Sequence, residues 1–304
     1  MNNRIVEIFL EVAAIEGLSG RERQVADYIK NFLTHLNIPY YEDNTHLLNG
    51  GNSGNIICKI GNGGDSIFLS HMDTARSTLN VKPIIKENKI SSDGTTVLGV
   101  DNRAGIAVLL YILEKLISEK KTINPCTIAF TVCEETTLAG SKSLSLNGNI
   151  KKGFVFDSML RPGNFITNAS GAKEFLITVY GKASHAGIEP EKGINAIEVA
   201  SHAISKMKIG RIDNSTTINI ASVNGGSGLN VVPDKIIIKG EIRSLDETKV
   251  EYILQNLIDV FDKTTKEFNT RFEFQSHWDF KPYIINQNEQ VYIDIVDAIE
   301  KAGL

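Results

Sequence analysis

Cysteine is scarce in this 304-residue chain: Cys58, Cys126 and Cys133 are odd in number, widely spaced and set mostly in apolar runs. Such a set excludes a disulfide framework and reads as buried thiols in a reducing compartment. A surplus of either charge is missing too. The formal net charge is −4 and no Lys/Arg cluster stands out, so nothing supports nucleic-acid binding. No apolar run approaches a membrane span, and Glu7 and Glu11 break up the apolar stretch of MNNRIVEIFLEVAAIEGLSG, which leaves no signal-peptide core. A cytoplasmic protein without membrane or nucleic-acid partners is the expectation. Internal repeats and low-complexity tracts are absent, and the Gly-rich GGNSG and NGGSG lack phosphate-loop spacing before a helix.

What is present is ordinary globular composition, 42% hydrophobic and 22% charged, enough for one large domain or two smaller ones. Ile5, Ile8, Phe9, Val12 and Ala13 share one face of an expected first helix. Ser19-Gly20-Arg21-Glu22 has capping-box spacing before a second helix carrying Val25, Ile29, Phe32 and Leu33. The runs NIICKI (55–60) and SIFLSH (66–71) are separated by GNGGD and read as a hairpin. A strongly apolar helix is expected over 104–117, a buried strand over 126–133, and a short strand over 153–157. Helices alternating with buried strands define an α/β domain.

The middle of the chain changes rhythm. Strand 173–182, helix 193–207, strands 215–223 and 235–243, helix 246–264 and strand 270–277 follow in turn. That is β-α-β-β-α-β, the ferredoxin-like split unit, expected as a separate small domain. One more helix, 289–302, closes the sequence.

Four places in the α/β portion set a metal-competent residue where an apolar element ends or a helix begins. They are His71 and Asp73 after IFLS, Asp101 in LGVDNRAG, Glu134-Glu135 after CTIAFTVC, and Asp157 after GFVF. Positions i and i+2 of a strand point the same way, so His71 and Asp73 suit a metal ligand and the group that orients it. Each also has a plain reading: solvated strand ends, a surface Glu pair, or an Asp capping a helix. In open α/β sheets, however, sites assemble beyond the carboxyl ends of strands, where these groups can converge. If the chain turns at 134–135, one glutamate can bind metal while its neighbour serves as general base. Imidazole and carboxylate ligands suit zinc, with manganese or cobalt as substitutes.

Together HMDT, GVDNRAG, CEE, FDS and GKASHAG-x-x-P-x-x-G-x-NAI resemble the zinc exopeptidases and deacylases grouped around peptidase T, carboxypeptidase G and acetylornithine deacetylase. The run GRIDNSTTINIASVNGGSGLNVVPDKIIIKGEIRSLD is similar to the lid domain of the peptidase T-like, tripeptide aminopeptidase branch. The resemblance implies a mixed sheet flanked by helices with an inserted ferredoxin-like α+β lid. It divides the chain into a catalytic domain over 1–170, a lid and dimerisation domain over 171–280, and a return to the catalytic domain over 281–304. It implies two zinc ions: His71 and Asp157 on one, Glu135 on the other, Asp101 bridging. Asp73 would orient His71 and Glu134 would activate the bridging water. His185, in GKASHAG, would help stabilise the oxyanion, while Asn230 and Arg243 would hold the substrate's carboxylate or carbonyl end. The implied partners are short peptides and a second copy of the chain, bound through the lid.

One departure carries a consequence. The family adds a Gly-rich loop and then a histidine that completes the second zinc, and His35, His46, His202 and His277 all fall in the wrong segments for it. With only Asp101 and Glu135 from the protein, the second site is incomplete, and truncation with reduced or lost hydrolysis is expected of these 304 residues. Three readings follow: a metallo-aminopeptidase, an N-acyl amino acid deacylase or carboxypeptidase on the same scaffold, and an inactive relic or interaction module.

Overall fold

The computed structural model describes residues 3–146 and 150–304, which divide into two units, Met1–Arg161 and Pro162–Leu304. In the first, α1 (Asn3–Ala13) and α2 (Arg23–His35) precede β1 (Tyr40–Glu42), the short α3 (Thr45–Asn49), β2 (Ile56–Ile60) and β3 (Ser66–His71). A small hairpin of β4 (Pro83–Lys86) and β5 (Lys89–Ser92) leads into α4 (Val100–Ser118), followed by β6 (Cys126–Thr131), the short α5 (Glu134–Thr137) and α6 (Ala139–Ser143), and β7 (Lys152–Val155).

Five of these strands form a mixed sheet in the order β1-β2-β6-β3-β7. The hairpin expected between residues 55–60 and 66–71 does not form. β6 lies between the two, antiparallel to β2 and parallel to β3. All six residues of β6 are buried, Thr127 and Thr131 among them, and a fully buried strand gains most in the centre of the sheet, where both its faces and both its edges are covered. Strand alternation splits the packing. Ile56, Cys58, Ile128 and Phe130 join Ile8, Val12, Val25, Ile29, Leu33, Ile106 and Leu110 of the three long helices in the main core. Ile57, Ile67 and Ala129 face the other way, against Leu144, Leu146 and Ile150. All three cysteines are buried free thiols, and burial pushes Cys58 up to about 12. No described helix is long and apolar enough to cross a membrane.

At the edge of this sheet Glu42 gathers Arg23, Lys30 (3.0 Å) and the backbone N–H of Gly54 (3.0 Å). Burial alone would raise its pKa, but these three donors outweigh it and bring the carboxyl down to about 2. A depressed carboxylate stabilises the fold above its unfolded pKa, and that stabilisation is lost as pH falls through the folded value. Glu42→Gln is therefore expected to cost on the order of 2 kcal/mol at pH 7. The deficit should shrink as the pH falls from about 4.5 towards 2, as urea melts at several pH values would show.

The second unit contains β8 (Asn168–Ala169), β9 (Gly171–Tyr180), α7 (Ala196–Ser205), β10 (Gly210–Asp213), β11 (Thr216–Gly225), β12 (Lys235–Ser244), α8 (Glu247–Glu267), β13 (Phe272–Phe280), β14 (Tyr283–Ile284) and α9 (Gln290–Lys301). Its antiparallel sheet runs β10-β11-β12-β9-β13, with α7 and α8 packed through Val199, Ala203, Val250, Leu254, Leu257 and Phe261 onto Phe175, Ile177, Ile238 and Ile242. The β-α-β-β-α-β order read from the sequence is present, with β10 as an added edge. Asn195 and Asp246 cap α7 and α8 by accepting backbone N–H bonds, which fixes where each helix starts.

The capping box expected at Ser19–Glu22 is not formed. α2 starts at Arg23, Glu22 occupies the N-cap position without a side-chain cap bond, and the Ser19 hydroxyl donates to Asp73 Oδ2 at 2.6 Å. Tertiary partners took both side chains away from the helix end.

Candidate active site

Three parallel strands end together. β3, β6 and β7 run in one direction, so His71, the turn into Glu134-Glu135 and Asp157 all emerge from the same edge of the sheet. The backbone ties these ends: Met72 N–H donates to Thr131 O (2.7 Å) and Phe156 N–H to Leu69 O (2.9 Å). The start of α4 brings in the fourth carboxylate. Asp101 and Asn102 have non-helical dihedrals and a cis peptide bond between them, and Asp101, although exposed, turns its carboxylate to His71.

α4 can come this close only because residue 105 is glycine. A Cβ there would sit 2.4 Å from Phe156 O and 2.6 Å from Ser70 Oγ, which is inside any tolerable contact. Gly105→Ala must push the helix off both strand ends. A loss of about 1–3 kcal/mol in urea unfolding is expected, with displacement of Asp101 from His71.

The buried imidazole of His71 is the hub. Its Nε2 lies 2.9 Å from Asp101 Oδ1, 3.7 Å from Asp157 Oδ2 and 4.0 Å from Glu134 Oε2. Its Nδ1 faces Asp73, 3.2 Å from Oδ1 and 3.1 Å from the backbone oxygen. Burial opposes a charge on His71, but hydrogen bonds with Asp157 and Asp73 outweigh it and push the pKa up to about 11. Burial likewise raises Glu134, helped by Asp157, Glu135 and Asp73, and burial with Asp101 raises Glu135. Asp157 is lowered, chiefly by its bond with His71. Four carboxylates crowd one imidazole, an arrangement in which a cation relieves mutual repulsion.

Ligand atoms of His71, Asp101 and Asp157 all lie within 4.8 Å of one another, and so do those of His71, Glu134 and Glu135. This donor set, one imidazole nitrogen facing carboxylate oxygens while the other nitrogen is held by Asp73, fits zinc, manganese or cobalt. Every α/β residue read from the sequence as a ligand, orienter or base is in this cluster.

The remaining three expected residues lie in the second unit. His185 bridges to Val231, its Nδ1 accepts the Gly187 N–H at 3.2 Å, and the Ala186 N–H donates to Asn230 O at 2.9 Å, so His185 and Asn230 are neighbours. Arg243 is set apart on β12, paired with Glu241 at 2.9 and 3.1 Å and lying over the Phe280 ring.

Sequence reading missed the supports. Arg103 is fully buried and donates to the carbonyls of Met72 and Ile15 (the latter at 3.2 Å), clamping the β3 end between His71 and Asp73. Burial lowers its pKa to about 10 against the pull of Asp73, Glu16 and Glu22. Glu16 holds the following loop through Ser77 Oγ and Thr78 N–H, both at 3.0 Å. A charged residue immediately before the apolar AGIAVLL run was the one available signal for Arg103.

Residues 167–269 match the peptidase dimerisation domain of the M20 peptidases, and residues 83–177 match the M42 glutamyl aminopeptidases. The chain is 35% identical to the Bacillus subtilis protein YqjE over 99% of its own length and 82% of that protein's. The solved structure of the aminopeptidase PepT from Bacillus cereus superposes with a TM-score of 0.87 at 32% identity, covering 99% of this chain and 82% of that one. A tripeptidase from Staphylococcus aureus gives 0.88 at 31% identity with the same coverage. Fold and relatives together thus define a peptidase of the zinc-exopeptidase family. The chain belongs to the M20 peptidase family, in the group of peptidase T, carboxypeptidase G and acetylornithine deacetylase, close to peptidase T.

Proposed function

We propose that this chain removes the N-terminal residue from short peptides in a reaction that depends on two divalent metal ions, zinc foremost. The observation that carries the reading is the meeting of His71, Asp101, Glu134, Glu135 and Asp157 at the ends of three parallel strands, with His71 Nε2 turned into the cluster. His71 and Asp157 would hold one ion, Glu135 the other, and Asp101 both. Bound there, the ions would polarise the scissile carbonyl and make an intervening water a nucleophile near neutral pH. Glu134, half-buried and held at a raised pKa by burial and its acidic neighbours, takes the proton of the attacking water and passes it to the leaving amine. Asp73 fixes the tautomer and tilt of His71. His185 is proposed to meet the oxyanion, and Asn230 and Arg243 the substrate's carbonyl or carboxylate end.

Among the described residues the first ion would have three protein ligands and the second two, so the second would be held more weakly. The match of residues 167–269 to the dimerisation domain supports a homodimer through the segment proposed as the lid, residues 171–280, and residues 1–170 and 281–304 are proposed as the catalytic domain. The three buried free thiols support a cytoplasmic setting.

The test is hydrolysis of a free tripeptide and of its N-acetylated form, before and after chelation with EDTA. Slow cleavage of the free tripeptide alone, abolished by EDTA and restored by Zn²⁺, Mn²⁺ or Co²⁺ at concentrations that fill the weaker second position, is expected. Preference for the acetylated substrate would replace this reading with a deacylase. Hydrolysis of neither with Zn²⁺ present would remove the enzymatic reading.

A further inference from the structure

The turn that presents Glu134 and Glu135 carries three consecutive backbone amides, and each is held by a carboxylate from elsewhere in the chain. Glu22 Oε1 accepts the Cys133 N–H at 2.9 Å. Asp73 Oδ1 accepts the Glu134 N–H at 3.0 Å, and Asp73 Oδ2 accepts the Glu135 N–H at 3.1 Å. Both carboxylates are fully buried. Cys133 itself sits at φ 51°, a left-handed backbone that a non-glycine residue adopts only when its surroundings impose it. Glu22 Oε1 also accepts the Gly20 N–H (2.8 Å) and faces Cys133 Sγ (3.4 Å), while its Oε2 has no partner among the described residues. Three residues before Glu22, the Ser19 hydroxyl donates to Asp73 Oδ2 at 2.6 Å.

We propose that Glu22 is a positioning residue for the metal and base carboxylates: with Ser19 and Asp73 it locks the 133–135 turn so that Glu134 and Glu135 project from adjacent positions into one site. The alternation of a regular strand would send these two side chains to opposite faces, and the left-handed residue at 133 is what diverts them. A buried carboxyl with one oxygen unpartnered is a costly group, and capping α2 does not account for it, since it makes no cap bond there. What Glu22 does accomplish is to satisfy the amide on the residue immediately before Glu134. The catalytic consequence rests on the metal-site reading above; the brace itself does not.

Glu22→Gln keeps a carbonyl oxygen for both amides, whereas Glu22→Ala removes the acceptor. In metal-free chains, amide hydrogen exchange at residues 133–135 is expected to be at least about tenfold faster in Glu22→Ala, and within about threefold of the parent in Glu22→Gln. Exchange unchanged in Glu22→Ala overturns the brace. Titration with Co²⁺ alone is expected to show roughly 10- to 100-fold weaker binding in Glu22→Ala and near-parental binding in Glu22→Gln. Equal affinities in parent and Glu22→Ala overturn the positioning role. A parent that takes up no Co²⁺ refutes the metal site itself and the positioning role with it, while exchange still decides on the brace. If Glu22→Ala does not fold, Ser19→Ala replaces it in both arms, with the same directions expected.

Discussion

Glu134→Gln is expected to lower kcat for tripeptide hydrolysis by about 10²- to 10⁴-fold while divalent-ion affinity stays within about threefold of the parent. The substitution is nearly isosteric and leaves the Glu134 N–H on Asp73 Oδ1. It removes only the capacity to take a proton, which an amide lacks at any pH where the protein is folded. Because a general base acts in the transition state and not in substrate binding, KM should hardly move. Parallel loss of kcat and of metal would show instead that Glu134 is a ligand, as its place in a group with His71 and Glu135 permits. Single-turnover kinetics with a chromogenic tripeptide, alongside metal analysis of the same sample, separates the two outcomes.

The second large effect is expected at Asp73. This carboxylate is fully buried and binds His71 Nδ1 (3.2 Å), Ser19 Oγ (2.6 Å) and two backbone amides (3.0 and 3.1 Å). Burial alone would raise its pKa, but His71, Ser19 and the Glu134 N–H hold it below the ordinary value. Asp73→Ala strands four donors in a water-poor interior, and a loss of about 3–5 kcal/mol is expected in chemical denaturation. In whatever fraction folds, His71 loses the partner that sets its tautomer, and divalent-ion affinity should drop about 10- to 100-fold. Asp73→Asn is informative as well. Its carbonyl can still accept one amide, so stability should recover in part, but its NH₂ faces donors and the metal affinity should not.

The parts of the structure that local pattern can specify were readable in advance. The apolar face of α1 and the spacing of Val250, Ile253, Leu254, Leu257, Ile258 and Phe261 in α8 are set by helical periodicity alone; four of these six α8 residues are buried, and Ile253 and Ile258 are half-buried. The β-α-β-β-α-β order followed from the same local rules. The β2–β3 pairing could not, because nothing in GNGGD says that a strand some 60 residues on will insert between its flanks. Parallel neighbours are chosen by the burial demand of β6, which only the assembled sheet expresses.

The same division runs through the site. His71, Asp101, Glu134, Glu135 and Asp157 were visible because each stands where an apolar run ends or a helix begins, a position defined along the chain. Ser19 and Glu22 were misread as a capping box because their spacing satisfies a local motif, while their partners are 54 and 111 residues away. Arg103 was passed over because its ligands are backbone carbonyls, which leave no mark in a sequence. Residues that do chemistry announce themselves by type and position, and residues that hold them in place are known only from what they touch.

The central claim is spatial: His71, Asp101, Glu135 and Asp157 hold divalent cations at the carboxyl ends of β3, β6 and β7. Anomalous diffraction at the zinc edge, from crystals equilibrated with Zn²⁺, tests it directly. The account predicts a strong peak bounded by His71 Nε2 and the carboxylates of Asp101 and Asp157, with a weaker second peak beside Glu135. Zinc found only at surface histidines, with this cluster lacking a peak, would contradict it.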